Sequence, residues 1–96
     1  MNVFDWLVEW YKSCCDGNWE HSYGIKIGAL DNPGWSVKIN LNWTDLEEKS
    51  FKEIAIDNGD NDWIFCKVED KEFRGYGDPD KLNSLIEIFK NWAEQN

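Results

Sequence analysis

The sequence predicts an α+β domain: a four-stranded antiparallel β-meander with an N-terminal and a C-terminal helix packed on one face. Three observations predict it. Residues 21–30 and 35–42 alternate apolar and polar side chains with the period of two that marks a half-buried strand. The two ends of the chain carry the spacing of amphipathic helices instead. Between them, residues 51–57 and 63–70 alternate again around a run of turn formers. The order α-β-β-β-β-α is met most simply by one sheet with both helices on one side.

Size and composition bound the rest. A chain of 96 residues holds one core, so residues 1–96 form a single domain. With 42% apolar and 16% aromatic residues, it is far too hydrophobic for disorder. No apolar run approaches a membrane span, and the start Met1-Asn2-Val3-Phe4-Asp5 lacks the pattern of a signal peptide. A cytoplasmic protein is the expectation. The net charge is −9, and residues 44–96 hold fourteen acids against seven bases. Nucleic-acid binding is disfavoured because phosphates call for a basic patch. A basic protein partner is favoured by steering, although acidity also serves plain solubility. Three cysteines, two of them the adjacent Cys14 and Cys15, do not make a disulfide framework and read as reduced thiols.

Taken in order, residues 3–15 place Phe4, Trp6, Leu7, Val8, Trp10 and Tyr11 on a wide apolar arc opposite Asp5, Glu9 and Lys12. Asn2 is the N-cap, and Gly17 suits the left-handed position that ends the helix. In the next strand Tyr23, Ile25, Ile27 and Ala29 share a face. In the one after, Trp35, Val37, Ile39 and Leu41 do. Asn32-Pro33-Gly34 joins them as a tight turn, with Pro at the first central position and Gly allowing positive φ at the second. Thr44-Asp45-Leu46-Glu47 resembles a capping box opening one helical turn. Ile54 and Ile56 point inward on the third strand, and Ile64, Cys66 and Val68 on the fourth. Residues 71–77, with Phe73 and two glycines, read as a loop. Asp78 then caps the last helix, with Pro79 at its first position and Leu82, Leu85, Ile86, Phe89 and Trp92 on its inner face.

By alternation the open face of the sheet carries Phe51, Trp63 and Phe65 beside Lys26, Lys38, Glu53, Lys67 and Glu69. Large aromatics there are either covered by a loop bearing Trp19 or Trp43 or form a patch for a partner.

No catalytic or metal constellation emerges. Cys14, Cys15, His21 and Cys66 lack zinc-ligand spacing. Counted from Asp57, the acidic run 57–62 has neither the Gly nor the Glu of a calcium loop at the required positions. Glu20 and His21, adjacent on a strand, would point to opposite faces. There is no Ser-His-Asp set, P-loop or H-E-x-x-H. The expectation is a protein without enzyme activity, cofactor or metal.

The run Cys15-Asp16-Gly17-Asn18-Trp19-Glu20-His21-x-Tyr23-Gly24-Ile25 and the later Leu30-Asp31-Asn32-Pro33-Gly34-Trp35 resemble the immunity protein 53 family of bacterial polymorphic toxin systems. Trp6-Leu7-x-x-Trp10-Tyr11, Asp62-Trp63-Ile64 and Phe73-x-Gly75-x-Gly77 match as well; Ala29 departs from the Thr expected there. The resemblance spans nearly the whole chain. It implies a small cytosolic antidote that binds a cognate toxin domain and blocks it without chemistry of its own. Many such toxins are basic and act on nucleic acids, which an acidic inhibitor would complement. The partner-binding residues expected are Trp19 and Glu20, from the motif, with Asp57, Asp60, Asp62 and Trp63, from charge and sheet face. The alternative is an adaptor or regulatory binding module outside toxin systems.

Overall fold

The computed structural model describes residues 2–95. Three helices, α1 (Val3–Cys14), α2 (Trp19–Ser22) and α3 (Leu82–Glu94), accompany five strands. The strands are β1 (Ile25–Leu30), β2 (Gly34–Asn40), β3 (Ile54–Asp57), β4 (Trp63–Glu69) and β5 (Glu72–Gly77). They form one antiparallel sheet in the order β1-β2-β5-β4-β3. The expected four-stranded meander is therefore corrected to five strands. The segment read as a loop, 71–77, is the central strand. Its register sets Val37 and Cys66 either side of Gly75, and Trp35 and Ile64 either side of Gly77. The inward positions of β5 are thus Phe73, Gly75 and Gly77, and two of the three carry no side chain to show an alternation.

The glycines are there for α3. A Cβ on Gly75 would lie 3.0 Å from Leu85 Cδ2, and one on Gly77 would lie 2.7 Å from Lys81 Cβ. The helix can therefore rest close to the strand backbone. Phe89 is the hub of the contact: its ring lies 5.0 Å from Trp10, 5.2 Å from Phe73, 5.9 Å from Trp6 and 6.0 Å from Trp92. Such pairs contribute about 0.5–1.5 kcal/mol each beyond simple burial. Val37, Ile39, Cys66, Leu85 and Ile86 complete the buried centre. Helix α3 lies on β2 and β5, and α1 packs chiefly against α3. Both terminal helices are on one side of the sheet, as the element order implied.

Asn2 caps α1 by accepting the Asp5 N–H at 2.9 Å. The helix closes at Cys15, and Gly17, with φ of +94°, turns the following loop. The strand expected from residue 21 starts at Ile25, because residues 19–22 form a helical turn. Asp16 Oδ1 accepts from the N–H groups of Asn18 and Trp19, while the Glu20 carboxylate accepts from those of Asp16 and Gly17. This reciprocal capping satisfies four backbone donors and outcompetes extension.

The β1–β2 hairpin forms, but Gly34 belongs to β2 and has no positive φ. It is needed because a Cβ there would collide with the backbone oxygen of Gly77. The crossover 41–53 contains turns rather than a helix, with Thr44 Oγ1 accepting the Leu46 N–H at 3.1 Å. It is fastened to the end of α3: Trp92 Nε1 donates to Ser50 O, and Lys49 Nζ donates to Trp92 O, both at 2.7 Å. Phe51 leaves the open face assigned to it. It precedes β3 and packs, partly buried, against the core, 5.3 Å from Trp92 and 5.6 Å from Phe73. Ile56, expected inward, sits on the edge strand beyond the reach of α3 and is exposed.

Asp78 is likewise not the cap of α3, which starts at Leu82. Its buried carboxylate reaches across to β4, where Oδ2 accepts the Trp63 N–H at 2.9 Å.

Gly77→Ala should destabilise the fold by roughly 1–3 kcal/mol, the usual cost of overpacking. Urea unfolding of the variant measures it, and an unchanged midpoint would contradict the close packing of α3 on β5.

Candidate functional site

With α3 spent on one face of the sheet, the other face stays open. Register assigns it Ala55 and Asp57 of β3, Trp63, Phe65, Lys67 and Glu69 of β4, and Glu72, Arg74 and Tyr76 of β5. It continues with Ser36, Lys38 and Asn40 of β2 and Lys26 of β1. Trp63 and Phe65 do point to this side, half-buried, and Phe65 stacks on Tyr76 with centroids 6.3 Å apart and planes 19° from parallel.

A shallow cleft of about 420 Å³ opens at the β3–β4 end. Asp57 and Asp60 stand on its rim, Trp63 and Phe65 line it, and Asn32 arrives from the β1–β2 turn. The acidic turn holds its own shape. Asp57 Oδ1 accepts the Gly59 N–H at 3.1 Å, the Asn58 N–H donates to Asp62 O at 2.9 Å, and Gly59 takes φ of +117°. Among the sequence-predicted residues, Asp57, Asp60 and Trp63 meet here.

Asp62 lies behind them in a structural triad. Lys81 Nζ sits 2.9 Å from Asp62 Oδ1 and 2.7 Å from Asp78 Oδ2. The Lys81 hydrogen bond lowers the Asp62 carboxyl below its ordinary range. The same donor, helped by the N–H groups of Trp63 and Asp80 and opposed by burial, holds Asp78 down to about 2. Lys81 is correspondingly raised, first by Asp78 and then by Asp62. This triad fixes the start of β4 against the approach to α3 and thereby sets Trp63 at the cleft.

Trp19 and Glu20 lie elsewhere. Trp19 is 1% exposed, between Trp10 at 5.9 Å and Tyr11 at 5.6 Å, so it has no surface to offer a partner in this conformation. Glu20 is committed to capping the 16–20 loop. The motif that carries the resemblance is thus explained in large part by folding.

Asn32 was missed by sequence reading, since only the hairpin register brings its turn to the cleft. Phe65 was visible as an open-face aromatic but not as a lining residue.

For chemistry the cleft presents carboxylates, an amide and aromatic surface, a set suited to Arg or Lys side chains. Among the described residues no three of His, Cys, Asp and Glu come together as a metal site. Cys66 is buried under the sheet, and burial alone pushes its thiol up to about 12. The one His, His21, is exposed on α2. Among the described residues no helix is long and apolar enough to cross a membrane.

The fold and the cleft describe a small acidic α+β domain whose developed surface is suited to binding. The family model described as Immunity protein 53 matches residues 4–94, and the chain belongs to that family. Neither a curated protein nor a solved structure matches it.

The depressed Asp78 carboxyl carries a pH signature. Its contribution is complete above its ordinary value of 3.8 and is lost as pH falls through about 2. Asp78→Asn should lower the urea midpoint at neutral pH and flatten its decline between pH 4 and 2. An unchanged pH profile would show that the triad is not coupled to folding.

Proposed function

We propose that this chain is a cytoplasmic antidote that neutralises a cognate toxin domain by direct binding, without chemistry of its own. Membership of the immunity family over residues 4–94 carries the reading. The acidic cleft supports it and suggests the contact. Asp57 and Asp60 accept basic side chains of the toxin, and Trp63 and Phe65 supply the apolar surface beneath them. Asp62 contributes by keeping Trp63 in place, and Trp19 and Glu20 by shaping the fold. A toxin with a basic substrate cleft, as a nuclease has, is the partner that a chain of net charge −9 would meet fastest.

Co-expression with the toxin encoded beside it tests the proposal. The chain should rescue growth and co-purify with the toxin, and failure of both would overturn the reading. Within the complex, the Asp57→Lys/Asp60→Lys pair should slow association by about tenfold at low salt, with a smaller change in dissociation. Stopped-flow association across a salt series measures this. A salt-independent on-rate equal to that of the unmodified chain would remove the acidic cleft from the contact.

A further inference from the structure

The opposite end of the same open face has a different character. Register places Lys26, Lys38, Arg74 and Lys67 side by side in one row across β1, β2, β5 and β4. Half of that row is neutralised. Arg74 Nε lies 2.8 Å from Glu72 and Nη1 2.7 Å from Glu69, and Lys67 Nζ lies 3.2 Å from Glu69. Lys26 and Lys38 form no ion pair among the described residues, although the chain has 19 acids with which to supply one. They are direct cross-strand partners, and like charges directly opposite one another destabilise a sheet. Lys38 is half-buried, so it is also less well screened than a fully exposed cation.

A second unfavourable feature adjoins this pair. Trp43 has a φ of +65°, where a bulky side chain is strained, and is nevertheless 62% exposed. Its ring stands edge-on to Tyr23, with centroids 5.0 Å apart. Tyr23 in turn lines a cleft of about 220 Å³ together with Lys26, Lys38, Asn40 and Glu72. An exposed Trp held in place beside unpaired cations serves no folding purpose that the core requires. It has the makings of an interface anchor.

We propose that this cleft, with Lys26 and Lys38 on its walls and the Tyr23–Trp43 pair at its side, is a second docking point. It takes a carboxylate side chain, flanked by apolar residues, from the protein partner. The proposal rests on the binding reading above and deepens it by giving the partner an acidic, apolar segment apart from its basic site. Charge complementarity selects a carboxylate. The cleft is smaller than the roughly 300–1,000 Å³ of small-molecule sites, which fits one inserted side chain. A nucleic acid is disfavoured: it needs a run of phosphate contacts, and here the row of free cations ends at the Glu69 and Glu72 carboxylates.

The test exploits opposite signs. Lys26→Gln/Lys38→Gln removes a like-charge repulsion, so the isolated variant should melt at the same or a higher temperature. Its affinity for the neighbouring toxin should nonetheless fall at least tenfold by titration calorimetry. Trp43→Gly, which relieves the positive φ, should also weaken binding at least tenfold, and its circular dichroism should still show the native fold. Unchanged affinity in both variants would overturn the proposal. If the unmodified chain does not bind that toxin, the function proposed above fails, and a second arm judges the cleft by itself. In it, the ¹⁵N-labelled chain is titrated with the peptide acetyl-Glu-Trp-Glu-amide and, separately, with a ten-nucleotide oligo-dT. Saturable shifts of the Trp43 indole and the Gly24 and Lys38 amides by the peptide support the proposal. No shifts there, or tighter binding of the oligonucleotide at the same signals, overturn it.

Discussion

The fold depends on how closely α3 can approach the middle strand of the sheet. β5 is hydrogen-bonded on both sides, to β2 and β4, so it cannot move aside for a helix. Room is made instead by leaving Gly75 and Gly77 bare where Leu85 and Lys81 come down. Once α3 is seated, Phe89 is in position to gather Trp6 and Trp10 from α1 and Phe73 from the sheet. α1 therefore joins the fold through α3. The same seating brings Lys81 to Asp78 and Asp62, which ties the end of β5 to the start of β4. One close contact thus organises the core on one face and the candidate cleft at the edge of the other.

Much of this was legible in the chain. Alternation located the β1–β2 hairpin and assigned its faces from Ile25 onward, but not Tyr23, which precedes β1 and turns to the open-face cleft beside Lys26 and Lys38. Helical spacing located α1 and α3. Three of the errors share a cause: a local rule lost to a partner distant in sequence. β5 was hidden because its inward positions are Phe, Gly and Gly, and the demand for glycine comes from α3. Asp78 reads as an N-cap from its neighbours, yet its carboxylate is taken by the Trp63 N–H fifteen residues earlier. Phe51 follows the strand period but is claimed by Trp92 and Phe73. The 16–22 segment failed locally instead, where the Asp16–Glu20 capping set reads as the run-up to a strand.

The candidate site was legible in the same proportion. The acidic turn and Trp63 announce themselves by composition and face. Asn32 does not, because its arrival depends on the hairpin pairing through β2 with β5, whose other neighbour is β4. Trp19 is the instructive case. A Trp in a polar, motif-like run invites a surface role, but the capped turn rolls it under α1. Among the described residues the Trp that stands exposed is Trp43, in a stretch the sequence offered as a connection or as a cover for the open face.

The distribution of charge over the open face bears on how a partner would be read. Most cations of this chain are spent on its own carboxylates, as with Lys12, Lys71, Arg74, Lys81 and Lys90. What remains on the open face is a broad negative field with acids at the β3–β4 end and one unpaired cationic couple across β1 and β2. The broad field acts at a distance and accelerates encounter with any basic surface, right or wrong. It cannot by itself choose an orientation. A local reversal of sign can, because a basic partner that docks backwards sets its own cations against Lys26 and Lys38. Under the proposed function, attraction at one end and selective repulsion at the other would make the face directional, and that would give an acidic binder a reason to keep two lysines opposed on its sheet.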